Sequence, residues 1–278
     1  MERIRLLSFV FFAGLSCAGC QAPPQEEPSG QTISINGFEM YYETLGQGEP
    51  LLLVHGWSGN SDYFGPLLEE LSAHYRLIIP ELRGHGRSTN PEGVFATRQL
   101  ARDMMALLDH LGLEGVRGLG ASAGGLTLIR MALENPDALS QMILVGVGTH
   151  FPTDCRESML ASDADTYSSD WWAVMRDRHV YGDDQIRALA EYLRGLAADD
   201  GDVQFSPEML SSILIPTLIV QGDRDWCFPP PLVAEMHGAL PEASLWVIPQ
   251  GEHVPILGSR APHFLDVALA FLDGKNLQ

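Results

Sequence analysis

Short, largely apolar runs recur along this chain, and most are followed by a segment with helical spacing. Residues 51–54 read LLLV, 142–147 read MILVGV and 217–220 read TLIV. Runs of this kind suit strands covered on both faces of a sheet. Between them, Leu100, Met104, Leu107, Leu108 and Leu111 form one stripe over residues 97–111, the mark of an amphipathic helix. Further strands are predicted at 76–80, 116–120 and 245–248, and further helices at 62–73, 124–134, 230–240 and 262–272. Asn36 and Gly37 separate two extended runs, 32–35 and 38–44, which is a strong hairpin signal. Strands alternating with helices predict an α/β fold with a mostly parallel, doubly wound sheet and right-handed crossovers.

The alternation fails over residues 151–212, which contain no strong strand and one helical stretch at 184–197. This insertion is expected to form a helical cap over the carboxyl ends of the strands, where such sheets bind ligands. The core then comprises residues 31–150 and 213–278. With 278 residues, 45% of them hydrophobic, the chain can bury a core and a subdomain. Its 17 basic residues, 16 of them Arg, face 36 acidic ones, for a formal net charge of −19. A surface this acidic repels phosphate backbones, so nucleic acid is excluded as a partner.

The amino terminus reads as an address. Arg3 and Arg5 precede an apolar run over residues 6–15, and small residues follow, the layout of a secretory signal peptide over residues 1–19. Ala18, Gly19 and Cys20 resemble the bacterial lipoprotein signal, in which the Cys becomes the lipid-modified first residue. Cys17 stands where Leu is usual. Ordinary cleavage after Ala22, releasing a soluble periplasmic protein, is the alternative. Residues 20–30 are Pro-rich, polar and aperiodic, and read as a flexible tether. No apolar run of about 20 residues follows residue 20, the length a helical span requires. Membrane attachment is thus expected only through a lipidated Cys20, with the protein facing the periplasm. Cys17 and Cys20 also spell C-x-x-C, but a redox motif needs a folded domain around it.

Candidate chemistry lies at strand ends. Gly120, Ala121, Ser122, Ala123 and Gly124 match G-x-S-x-G between a predicted strand and a predicted helix. A strand turning sharply into a helix leaves no room for flanking side chains, and it pushes the serine outward. The same stretch satisfies the looser G-x-G-x-x-A dinucleotide fingerprint through Gly118, Gly120 and Ala123. That reading wants an acid about 20 residues on, where residues 148–150 read GTH. No cofactor is expected. A serine needs a base, and the base an orienting carboxylate. Gly222 to Asp225 (GDRD) and Gly251 to His253 (GEH) follow later strands, giving the order Ser, Asp, His.

Together with His55, Gly56, Trp57, Ser58 and Gly59, and with Arg83, Gly84, His85, Gly86, Arg87 and Ser88, these motifs resemble the α/β-hydrolase fold over roughly residues 31–275. The resemblance implies Ser122 as nucleophile, His253 as base and Asp225 as acid, with Asp223 the fallback for the acid. It implies backbone N–H donors to an oxyanion at Trp57 and Ala123. Ala121 and Glu81 stand where relatives often carry His and Asp, and neither is expected to carry chemistry. An ester or lactone is the implied substrate, ahead of a C–C bond beside a carbonyl. Dehalogenases and epoxide hydrolases of this fold need a carboxylate nucleophile, which Ser122 is not. A small-molecule binding protein with a vestigial triad is the competing class. The sequence sets no oligomeric state.

Trp57, His150, Phe151, Trp171 and Trp172 are expected at the substrate, though one or both of the paired tryptophans could instead glue cap to core. His179 is a further candidate for the pocket, whereas His55 and His85 are expected to hold backbone turns. No H-E-x-x-H motif appears, and no metal is expected. Cys155 and Cys227 open the cap and follow the acid turn, and could bridge cap to core in an oxidising compartment.

Overall fold

The computed structural model of the protein describes residues 28–199 and 201–275. The expected signal peptide, Cys20 and residues 20–27 of the tether lie outside the described residues. Asn36 and Gly37 take positive φ angles of 45° and 79°, and the chain reverses there between β1 (Ser29–Ile35) and β2 (Phe38–Leu45). β1 begins at Ser29, so the last residues of the expected tether already pair within the sheet.

The remaining core elements follow in chain order as β3 (Pro50–Val54), α1 (Gly65–His74), β4 (Arg76–Pro80), α2 (Thr97–Leu111), β5 (Val116–Ala121), α3 (Ala123–Glu134) and β6 (Leu139–Val145). Four cap helices come next: α4 (Thr153–Leu160), α5 (Ser169–Arg178), α6 (Asp183–Ala198) and α7 (Pro207–Leu210). The core resumes with β7 (Thr217–Gly222), α8 (Pro230–Ala239), β8 (Ala243–Ile248) and α9 (Ala261–Leu272). The sheet order is β1-β2-β4-β3-β5-β6-β7-β8. β1 and β2 pair antiparallel, as do β2 and β4, and every later pairing is parallel. β6 stops at Val145, two residues short of the apolar run, because Gly146 turns away with φ of 61°.

The apolar runs are continuous because both sheet faces are covered. In β3, Leu51 and Leu53 join one buried cluster with Leu67 and Leu71 of α1 and Phe264 of α9. Leu52 and Val54 join the other, with Leu100 and Met104 of α2, Ile129 of α3 and Val233 of α8. Alternate side chains of one strand thus feed opposite cores. The cap adds Met159, Ile186, Leu189 and Leu196 to the second cluster.

One buried ion pair fixes the turn after β4. Arg83 and Asp103 are almost wholly buried, and two hydrogen bonds of 2.7 and 2.9 Å join them. Asn36 and Gln99 also donate to the Asp103 carboxylate, at 2.9 and 3.0 Å. Replacing Asp103 by Ala would leave the guanidinium buried and uncompensated. Asp103→Ala is expected to cost about 3 to 5 kcal/mol, read as a lower midpoint in urea denaturation; an unchanged midpoint would contradict this account of the turn.

Candidate active site

The parallel strands β3, β5, β7 and β8 deliver their carboxyl ends to one edge of the sheet. Ser122 follows β5 directly with φ of 52° and ψ of −119°, a region L-residues seldom occupy. Packing enforces this. Gly124 lies so close to β3 that a Cβ on it would sit 2.0 Å from the Val54 carbonyl oxygen. Only glycine lets α3 start so near the sheet. Ala123 is the first residue of α3, and its N–H is among those a helix leaves unpaired at its start.

His253 follows β8, and its Nε2 lies 2.9 Å from Ser122 Oγ. Its Nδ1 lies 2.9 Å from Asp225 Oδ2. Asp225 follows β7 and is buried. Its Oδ1 accepts the N–H groups of Cys227 and Phe228 at 2.8 and 3.0 Å, which fixes the plane of the carboxylate. Gln221, at the end of β7, donates to Oδ2 at 2.8 Å. Three side chains from distant parts of the sequence therefore form one hydrogen-bonded chain, and Asp223 takes no place in it. A serine so placed can lose its proton to the imidazole as it attacks.

The loop after β3 passes over this site. Gly56 is so near Ser122 that a Cβ on it would lie 3.2 Å from the serine Cβ, and the Trp57 peptide comes next. Several groups brace the loop. His55 holds the Gly56 carbonyl through Nδ1 at 2.7 Å and accepts the Leu82 N–H at Nε2, 3.0 Å away. Glu81, fully buried, accepts the Ser61 N–H at 3.2 Å and pairs with Arg87. Arg87 also reaches Glu43 at 2.9 Å.

A cavity of about 150 Å³ opens beside Ser122 and His253. Trp57 and Phe151 line it as expected, with Tyr63, Leu126, Met159, Leu193, Leu196, Trp226, Cys227 and Phe228. The expectation for His150, Trp171 and Trp172 is corrected, for none of them is among the lining residues. His150 pairs through its backbone with Gln204, and its ring lies 3.0 Å from the Thr149 hydroxyl. The Trp171 ring packs on Trp57 and Tyr167. The Trp172 indole donates to the Ala164 carbonyl at 2.9 Å, and the guanidiniums of Arg176 and Arg187 flank its ring. His179 is also absent from the lining; it is buried and accepts the Gly86 N–H at 2.8 Å. Cys155 and Cys227 are joined as a disulfide.

Sequence reasoning missed Gln221, Tyr63, Leu126, Met159, Leu193, Leu196, Trp226 and Phe228. Trp226 and Phe228 carried a signal, since they adjoin the acid turn. The others are apolar or polar residues within ordinary elements, with nothing in their spacing to mark them. Among the described residues, no group of three or more His, Cys, Asp or Glu could hold a metal ion. No described helix is long and apolar enough to cross a membrane.

Comparison with known proteins agrees with this fold. Residues 49–172 match the family described as the alpha/beta hydrolase fold. Soluble epoxide hydrolase of Corynebacterium sp. (strain C12) is 34% identical over 125 residues, 42% of this chain. That match spans only 44% of the epoxide hydrolase's own length. Lipase 1 of Psychrobacter immobilis is 25% identical over an alignment of 297 positions, 91% of this chain and 93% of the lipase. The crystal structure of the enol-lactonase from Burkholderia xenovorans LB400 superposes with a TM-score of 0.74 at 22% identity, covering 87% of this chain and all of that one. At that identity the likeness speaks to the fold alone.

Burial sets the protonation of the surrounding groups. It lowers His55 and His179 to about 4, and it lowers His85, with further repulsion from His55 and His179, well below the ordinary histidine value. Burial acts to raise the Asp225 carboxyl, but the His253 hydrogen bond and charge, with the Phe228 and Cys227 N–H groups, prevail and hold it below the ordinary carboxylate range. For the histidines the unfolded chain binds more protons than the folded one between about 4 and the ordinary histidine value of 6.5. Stability therefore falls as pH drops through that window. The depressed Asp225 adds its own loss only below the ordinary carboxylate value. Denaturant midpoints should be level above pH 6.5 and decline steadily toward pH 4; a flat profile across that range would refute the assignment of neutral buried histidines.

Proposed function

We propose, on the premise that this chain has the α/β-hydrolase fold, that it is a serine hydrolase cleaving a carboxylic ester or lactone. The observation that carries the reading is the pair of 2.9 Å contacts linking Ser122 to His253 and His253 to Asp225. Ser122 Oγ attacks the carbonyl carbon while His253 Nε2 takes its proton. Asp225 holds the Nδ1 proton, which fixes the tautomer and supports the charge that forms. The carbonyl oxygen, now anionic, is received by the N–H groups of Trp57 and Ala123, where a single such donor is worth roughly 3 kcal/mol of barrier. His253 then delivers the proton to the leaving oxygen, and the alcohol departs from an acyl-enzyme. Water, deprotonated by His253, attacks the acyl carbon, and the proton returns to Ser122 as the acid leaves.

Relatives named a lipase and a pimeloyl methyl ester esterase support ester chemistry for this chain. The epoxide hydrolase supports a different bond, but the nucleophile position here is Ser122 and no carboxylate. The layout of residues 1–20 supports export and attachment to the membrane through a lipidated Cys20, facing the periplasm. In a bacterial host that processes lipoproteins, incorporation of labelled palmitate should disappear in Cys20→Ser; persistent labelling would sink that proposal.

Ser122→Ala is expected to reduce turnover of a short aryl ester by at least a thousandfold with folding intact. A fluorophosphonate probe should label the natural chain and not this variant. Retained turnover in Ser122→Ala would overturn the mechanism, and absence of labelling in the folded natural chain would favour a binding protein over an enzyme.

A further inference from the structure

Hydrolysis as derived above leaves one wall of the cavity without a role. Cys227 lines the cavity and is joined to Cys155 of α4, with Cα atoms 4.8 Å apart. Met159 stands one turn further along α4, its sulfur 3.7 Å from Cys155 Sγ, and it also lines the cavity. The N–H of Cys227 is one of the donors that fix the Asp225 carboxylate. A single covalent bond thus fastens the helix that supplies a wall to the turn that holds the acid. Within that helix the buried residues are Cys155 and Met159. Beyond these two side chains, α4 lies along α6, where Arg156 donates to the Ala197 carbonyl at 2.9 Å.

The cavity so bounded is small. Its lining contains no Asp, Glu, Lys or Arg. An ionised substrate group would lose its water there and gain no counter-charge. The formal net charge of −19 adds a general repulsion of anions. A volume near 150 Å³ matches that of cavities known to hold a benzene-sized guest.

We propose that the Cys155–Cys227 disulfide is the specificity-determining wall of the site, holding α4 and Met159 against the acid turn so that only small, uncharged, apolar esters are accepted. This rests on the serine-hydrolase reading. Reduction by an added dithiol breaks the S–S bond with two electrons and two protons, yields two thiols and converts the dithiol to its own disulfide. α4 then keeps only its packing on α6 and the Arg156–Ala197 bond, its covalent tie to the acid turn is lost, and the site widens.

The test is a chain-length series of p-nitrophenyl esters, with the mono-p-nitrophenyl ester of succinate as the charged control. The natural chain should lose at least tenfold in kcat/KM from butyrate to octanoate, and at least tenfold from butyrate to the succinate monoester. In Cys155→Ala/Cys227→Ala the octanoate-to-butyrate ratio should rise at least fivefold. Met159→Ala, which widens the same wall with the disulfide intact, should raise it in the same direction. Should the double variant not fold, the ratio is read on the natural chain with and without dithiothreitol, with the same rise expected. A bond that merely stabilised the protein would lower all esters alike, so unchanged ratios alongside measurable turnover would overturn the wall and leave the hydrolase standing. No turnover of any ester, with no fluorophosphonate labelling of Ser122, would overturn the hydrolase reading and the wall with it.

Discussion

The backbone of Ser122 is held where a serine does not rest by choice, and its neighbours hold it there. Conformations of this kind cost of order 1 to 3 kcal/mol, so the surrounding structure must over-determine them. Its N–H donates to the Val145 carbonyl of β6 at 2.8 Å, and its carbonyl accepts the Leu126 N–H of α3 at 2.9 Å. Gly124 rests on the end of β3. Two strands and a helix therefore meet on the five residues of this turn. The cores on both faces of the sheet bear on the same point, since Ala121 belongs to one and Ala123 to the other. The hydroxyl is placed by the global fold, and no local loop can relax without disturbing the sheet.

A cap held only by apolar contact could slide over the core, because such contact has no direction. Here directional bonds fix its register. The Trp57 indole donates to the Leu189 carbonyl of α6 at 2.7 Å. Gln185 of α6 donates to the Gly86 carbonyl at 2.9 Å, and the Gly86 N–H is held by His179. Asp202 accepts the first N–H of α2, that of Thr97, at 2.6 Å. The core ends of these bonds lie in the turns after β3 and β4 and at the head of α2. The cavity's apolar walls are therefore presented in a defined position without help from a bound ligand. The same bonds explain why Trp57 lines the cavity while Trp171 only backs it.

Much of this was legible in advance, for reasons the residues make plain. Leu51 to Val54 could be read because strands buried on both faces lose their alternation. α2 could be read because Leu100, Met104, Leu107 and Leu108 all bury on one side. α4 and α5 could not. They bury two residues and one residue respectively, which is too few to leave a stripe. The hydrogen-bonded chain of Ser122, His253 and Asp225 was readable because each partner follows a glycine-containing turn at a strand end. Its supports were not. Gln221 looks like any strand residue, and Leu193 and Leu196 have the spacing of ordinary core positions on α6. Trp171 and Trp172 misled because large aromatic rings suit ligands and cap packing equally well, and only the fold brings Trp57, Tyr167, Arg176 and Arg187 against them.

Glu81 shows how a departure from the usual residue can be absorbed. It is one carbon longer than Asp, yet its carboxylate is fully buried and saturated by the Ser61 N–H and by Arg87, which Glu43 also holds. Two carboxylates share one guanidinium, and this cluster grips the loop from behind, while His55 grips it at its base and Trp57 ties its front to the cap. Residues 55–61 are therefore held from three sides before any substrate arrives. Hydrogen-bond donors contribute most to a transition state when they need no rearrangement to meet developing charge. If the Trp57 N–H is the donor proposed above, its effectiveness comes less from that peptide than from the buried ions and imidazole that keep the peptide in place.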